Sequence, residues 1–196
     1  MAERNLNSIF LSASIPLETR DKKYFDTADI IAIRESVKAI ATVVLPKAKL
    51  VWGGHPAITP LIRHVMDVMG TNIKEHVILY QSDFFKHMLP PDNKYFEDVR
   101  FVKANNDLNS SLEDMRLSML SNNFDAGIFI GGMEGVEIEF DLFRKMHPDA
   151  LILPVASTGA AAQLIYEKME LKPDIRLTND YAYMALFRYL LNEIIN

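Results

Sequence analysis

The sequence contains no cysteine. Disulfides, thiol nucleophiles and thiolate metal sites are therefore excluded, and a reducing compartment is compatible with that absence. Positive charge is also in short supply: 21 Lys and Arg stand against 26 Asp and Glu, for a net charge of −5. A nucleic-acid partner, which requires clustered cations to displace phosphate counterions, is not expected. A small anionic ligand remains allowed, because a few local donors suffice to hold one phosphate. No apolar run approaches the ~18 residues of a membrane span. The polar stretch Met1–Ser8 has no basic segment leading into an apolar one, as a signal peptide would. These absences together predict a cytoplasmic protein with no membrane partner. Internal repeats, low-complexity tracts and linker-like segments are absent too, so the 196 residues are expected to form one domain, 1–196.

Several chemical signatures are missing as well. The histidines His55, His64, His76, His87 and His147 show no metal-ligand spacing, and no metal is expected. Each reads first as a surface or core histidine, His55 excepted because it adjoins paired glycines. Neither GxGxxG nor GxxxxGKS/T occurs, so a standard dinucleotide fingerprint and a P-loop are both ruled out.

What is present is a regular alternation of short apolar runs with helical periods. Ser8–Ala13, Lys49–Trp52, His76–Tyr80, Val99–Val102, Asp125–Ile130 and Ala150–Leu153 read as six strands. Between them, Ile30, Ile33, Val37, Ile40 and Val44 mark one face of a helix over 27–45, with Thr27 or Asp26 as its cap and Pro46 as its stop. Further helices are predicted from about Pro56 to Met69, around Leu108 to Met119, from Gly135 to Lys145, from about Ser157 to Met169 and from Asp180 to Ile195. Met66, Met69, Met115 and Met119 fall at helical spacing and read as core filling. The segment 81–98, polar and broken at Pro90-Pro91, reads as a long loop, and the aromatics that flank it, Tyr80, Phe84, Phe85, Tyr95 and Phe96, serve either packing or ligand stacking. Strands alternating with helices predict an α/β fold, a parallel sheet of about six strands with helices on both faces. Such sheets bind ligands at the carboxyl ends of their strands.

Four strand ends carry small residues. Leu11-Ser-Ala-Ser-Ile-Pro16 offers Ser12, Ala13 and Ser14; Val51-Trp-Gly-Gly-His-Pro56 offers Gly53, Gly54 and His55. Ile130-Gly-Gly-Met-Glu-Gly-Val-Glu-Ile-Glu-Phe140 offers Gly131, Gly132, Glu134, Gly135 and Glu139, and Pro154-Val-Ala-Ser-Thr-Gly159 offers Ser157, Thr158 and Gly159. Glycines after a strand permit close backbone approach, and a following helix N-terminus presents unpaired N–H groups to an anion. Each junction alone also fits a plain tight turn or helix cap, and the acids also fit first-turn charges that complement the helix dipole. Four at one sheet edge favour a ligand.

These segments, in this order, resemble the SLOG superfamily, named for its Smf/DprA and LOG members. The resemblance points most closely to the sensor domains that accompany Sir2 or TIR modules in prokaryotic anti-phage defence, such as the C-terminal domain of the Thoeris effector. It implies a Rossmann-like fold and a pocket for a nucleotide or an NAD-derived cyclic nucleotide such as a cyclic ADP-ribose isomer. It also implies self-association and a separate Sir2 or TIR effector as partner. LOG-type phosphoribohydrolases carry an Arg-Lys pair before a PGGxGTxxE loop. Here Ile130 replaces the proline, the glycines are one residue further apart, and Val136 replaces the threonine. Glu139 matches the last acid, but Met115-Arg116 stands where Arg-Lys would be, so Met115 occupies the catalytic arginine position.

The expected function is binding of a nucleotide-derived ligand, as a sensor or sequestering domain, with no catalytic residue and no cofactor required. Amides of Gly53, Gly54, Gly131 and Gly132 would face phosphates, Ser12, Ser14, Ser157 and Thr158 would add hydroxyls, Arg116 and Lys103 would neutralise charge, and Glu134 or Glu139 would hold ribose hydroxyls. The alternative is a LOG-like phosphoribohydrolase or a deoxyribosyltransferase-like enzyme that cleaves an N-glycosidic bond, with Glu139 or Glu134 as its acid. Apolar residues on several sides of the last helix (Tyr181, Tyr183, Phe187, Tyr189, Leu191) predict a homo-oligomer.

Overall fold

The computed structural model describes residues 6–196; Met1 to Asn5 of the N-terminal polar stretch lie outside them. Six strands form one all-parallel sheet: β1 (Ser8–Ser14), β2 (Lys49–Trp52), β3 (Val77–Ser82), β4 (Asp98–Val102), β5 (Ala126–Gly131) and β6 (Leu151–Val155), in the order β4-β3-β2-β1-β5-β6. The fold is α/β and Rossmann-like, as the alternation predicts. The strands β3 and β5 are largely apolar because both faces are covered: every residue of each is buried, the polar Gln81 and Ser82 included.

The helices are α1 (Lys22–Phe25), α2 (Ile30–Val44), α3 (Thr59–Met69), α4 (Leu108–Leu120), α5 (Glu134–Met146), α6 (Ala160–Lys168), α7 (Tyr183–Leu190) and α8 (Asn192–Ile195). Ile9 and Leu11 of β1 point to one face, where they share a core with Ile33, Val37 and Ile40 of α2, Ile62 of α3 and Phe187 of α7. Phe10 points to the other, with Met115 and Met119 of α4 and Phe140 and Phe143 of α5. Phe10 stacks on Phe143 with ring centroids 5.3 Å apart. Burying each of these large side chains contributes roughly 1.5–3 kcal/mol.

Several boundaries differ from the sequence expectation: β3 runs to Ser82 rather than Tyr80, α6 begins at Ala160 rather than Ser157 because 156–158 form a 3-10 turn, and three further helices start or break elsewhere. Asp29, not Thr27 or Asp26, caps α2, accepting from the Ala32 amide at 2.9 Å; Thr27 is turned away to accept from the Ala160 amide at 3.0 Å. Helix α3 begins at Thr59 because residues 55–58 fold into a turn on the His55 carbonyl, which accepts from both Ile58 and Thr59 at 2.9 Å. The last helix is broken at Leu191, and most of its apolar side chains are internal. Tyr183, Leu186, Phe187, Leu191 and Ile195 are buried, whereas Tyr181 and Tyr189 are exposed, Tyr189 beneath the Arg176 guanidinium at 3.9 Å. Of the five residues that predicted an oligomer, Tyr183, Phe187 and Leu191 thus serve the chain's own core, while Tyr181 and Tyr189 remain on the surface.

The chain steps outward from β1 to β4, then returns to lay β5 against the other side of β1. The crevice between the carboxyl ends of β1 and β5 is thus the topological switch point. Its backbone is tightly fitted. Gly159 has φ +68°, and a Cβ there would lie 1.8 Å from the Thr27 carbonyl oxygen; Gly70, which ends α3 with φ +91°, has nothing within 4 Å of that position. Gly70→Ala should cost only backbone strain, about 1–3 kcal/mol. Gly159→Ala should cost about 1–3 kcal/mol more, the penalty of overpacking against an immobile backbone. Urea unfolding of the two variants measures the difference, and equal losses would contradict the fit described here.

Candidate functional site

Only part of the sequence-predicted set meets at the switch point in a form that a ligand could use. Residues Ser12 and Ser14 alternate along β1 on the face covered by α5. Ser12 is buried, and its hydroxyl donates to Glu139 Oε2 at 2.5 Å. Arg116, from α4, donates through Nε to Glu139 Oε1 at 3.3 Å. Glu139 lies one turn into α5 from Gly135, so the two share a helix face. A Cβ on Gly135 would be 3.1 Å from Arg116 Nη2, so the absent side chain lets the guanidinium rest on the first turn of α5. The side chains of Arg116 and Glu139 are only 13% and 15% exposed. Burial pushes the Glu139 carboxyl above its ordinary value of 4.5, while Arg116 and Ser12 oppose the shift.

The helix N-termini around the crevice differ sharply. At α3, the amides of Ala57, Ile58 and Thr59 all donate to His55, the first to Nδ1 and the others to its carbonyl. At α6, Ala160 donates to Thr27 and Ala161 to the Gly132 carbonyl at 3.2 Å. At α5, by contrast, nothing among the described residues accepts from the amides of Met133, Glu134 or Gly135. The open donors thus lie one turn beyond the glycine pair. Gly131 itself donates to Thr158 Oγ1 at 2.9 Å and Gly132 to the Ser14 carbonyl at 2.9 Å, so both of these amides are engaged within the fold.

Most of the other predicted residues have local partners, although the Gly53 and Gly54 amides, like those at α5, meet no acceptor among the described residues. Thr158 is fully buried, and its hydroxyl also donates to the Val155 carbonyl at 2.6 Å. Ser157 pairs with the Tyr183 hydroxyl at 3.1 Å, a phenol that burial pushes up to about 12. Gly159 is closed against Thr27. Gly53 packs on the Met115 methyl, and the Gly53 carbonyl accepts from the Gln81 amide at 3.1 Å; a Cβ on Gly54 would collide with that same Gln81 amide. Burial holds the His55 imidazole below its ordinary pKa and hence neutral near pH 7. Ala13 points to the opposite core. Lys103 follows β4, three strands from β1 and about 14 Å away at normal strand spacing, and is exposed.

Sequence reasoning missed the β1–α2 connection. Arg20 reaches Glu134 at 2.6 Å, and the Tyr24 hydroxyl donates to Glu137, which Lys23 approaches at 3.7 Å. The cluster Arg20-Asp-Lys-Lys-Tyr24 is the only local hint of it. Among the described residues, no helix is long and apolar enough to cross a membrane, and no group of three or more acidic or histidine side chains is placed to hold a metal ion.

The Glu139 displacement gives a signed pH effect. A carboxyl with a raised folded-state pKa contributes stability fully present below its unfolded value and lost as pH rises through the folded value. Between pH 5 and pH 8 the parent should therefore lose stability relative to Glu139→Gln. Calorimetric melts across that range check it; a gap that does not change with pH would contradict the assigned burial.

Comparison with known proteins places this architecture. An X-ray structure solved as a structural-genomics target, TM1055, superposes with a TM-score of 0.54 at 15% identity, covering 88% of this chain and 89% of that one; at that identity the likeness is one of fold. No curated protein matches the chain. The profile described as the SLOG cluster3 family matches residues 23–191, a span that takes in α2 to α7 and the β5–α5 junction but neither β1 nor α8. The chain belongs to the SLOG cluster3 family.

Proposed function

We propose that the chain binds a nucleotide-derived, phosphate-bearing small molecule at the carboxyl ends of β1 and β5. The observation that carries this reading is the first turn of α5: three unmet amides, at Met133, Glu134 and Gly135, with Arg116 against Gly135 on one side and Arg20 against Glu134 on the other. An anion seated there meets backbone donors, the positive end of a helix dipole and two guanidinium groups. Glu139 is the partner for ribose hydroxyls. A carboxylate has about four acceptor sites, and Ser12 and Arg116 use one on each oxygen. Ser14 contributes a hydroxyl beside it, and the Gly53-Gly54 turn at the end of the neighbouring β2 borders the far side. The site needs no metal or cofactor.

The four small-residue junctions that resemble the Sir2- and TIR-associated branch extend the reading. On that resemblance alone, the ligand is an NAD-derived or cyclic ADP-ribose-like nucleotide, the role is sensing or sequestration in anti-phage defence, and the partners are a second copy of the chain and a separate Sir2 or TIR effector.

A second reading has one observation in its favour. Burial raises the Glu139 pKa, the direction expected of a general acid in N-glycosidic cleavage. Met115 argues against it: it is buried beneath Gly53 where the hydrolase branch places an arginine.

Thermal shift with AMP, ADP-ribose and cyclic ADP-ribose isomers tests the binding reading. A ligand at a hundredfold excess over Kd stabilises by about 2.7 kcal/mol, or roughly 5–10 °C here. No shift with any of them would contradict the proposal. Chromatography of the same mixtures separates the two readings: intact nucleotide is expected, and release of free base that Glu139→Gln abolishes would establish the enzyme instead.

A further inference from the structure

We propose that Arg20 is the residue that selects phosphate at this site, and that Glu134 is its built-in counter-ion when no ligand is bound. This rests on the binding reading above and adds to it a residue and a direction of effect. The β1–α2 connection is pinned to α5 at two points three residues apart on that helix. The inner pin is permanent: Tyr24 is 1% exposed, sits in the core with Phe140 and Ala161, and donates its hydroxyl to Glu137. The outer pin is exchangeable: Arg20 and Glu134 meet at 2.6 Å, yet their side chains are 53% and 51% exposed. An ion pair so open to water contributes little to stability and is readily replaced.

Beside the outer pin runs an open groove lined by Arg20, Asp21, Lys22, Lys23, Tyr24 and Glu134. It presents three cations and two carboxylates, of which Asp21 is already engaged as acceptor from the Lys23 amide at 3.0 Å. A guanidinium offers a planar fork of donors that matches two phosphate oxygens at once. The inner pin keeps Arg20 at the mouth of the crevice whether or not Glu134 engages it. A ligand phosphate entering the groove therefore takes over the place of the Glu134 carboxylate, and that carboxylate swings into water. Glu134 is thus a competitor of the ligand, not a ribose holder.

Calorimetric titration of the full chain with AMP, ADP-ribose and adenosine tests this. Arg20→Gln should weaken AMP and ADP-ribose by tenfold or more and leave adenosine unchanged. Glu134→Gln should tighten both phosphate compounds severalfold, because Arg20 no longer has a carboxylate to release. Both substitutions are at half-exposed positions, and ligand-free melting curves verify that the variants fold. Arg20→Gln binding the phosphate compounds like the parent, or losing adenosine equally, overturns the proposal while the site reading stands. So does Glu134→Gln with unchanged or weaker affinity. A parent that binds neither phosphate compound overturns the site reading and this inference together.

Discussion

Thr158 ties the switch point together. Its hydroxyl accepts from the Gly131 amide and donates to the Val155 carbonyl, and its own carbonyl accepts from the Asp29 amide at 3.2 Å. One fully buried residue thereby joins the ends of β5 and β6, through its hydroxyl, to the start of α2, through its carbonyl. Around it, Thr27 closes the N-terminus of α6 and Ser14 takes the Gly132 amide. With those donors committed, the first turn of α5 is left as the place where backbone N–H groups, arginines and the sheet crevice coincide. The openness of that one turn follows from the closure of its neighbours, since buried backbone donors are almost always matched inside a fold.

Glu139 sits behind that turn at some cost. Removing a carboxylate from water is unfavourable unless it is paired and hydrogen-bonded, and the fold supplies one contact to each oxygen, Arg116 and Ser12. The pairing is incomplete, because burial still outweighs the arginine in setting the carboxyl's proton affinity. A core residue chosen for stability alone would be apolar here. The retained acid, facing Gly135 and the crevice, is what one expects of a site that recognises hydroxyl groups.

The strands and most helices were legible because their signals are local. Ala-Gly-Ile-Phe-Ile-Gly131 is buried at every position and reads as a strand by composition. Helix α5 shows its apolar face as Val136, Phe140 and Phe143. Glu139 is read from the glycine-rich β5–α5 junction as well as from the motif match, whereas Arg116 comes from the motif match alone. What escaped was decided by distant partners. Asp26, Thr27 and Asp29 are near-equivalent caps by residue type, and only the Ala160 amide, 133 residues away, determines that Thr27 is occupied elsewhere. Arg20 meets Glu134 across 114 residues. The glycine pair at 131–132 misdirects for a similar reason: the left-handed backbone is real, with φ of +54° and +87°, but it turns the amides toward Ser14 and Thr158 and delivers the open donors one turn later.

The central claim is that the ligand's anion sits on the first turn of α5 and nowhere else along the crevice. Amide nitrogen–proton shifts of the labelled chain, followed during titration with ADP-ribose, test it most directly. The account predicts that the largest perturbations fall on Met133, Glu134 and Gly135, while Ile58 and Thr59 at α3 and Ala160 and Ala161 at α6 remain near their starting positions. Perturbations centred on the α3 or α6 N-terminus, with the 133–135 amides unmoved, would contradict it.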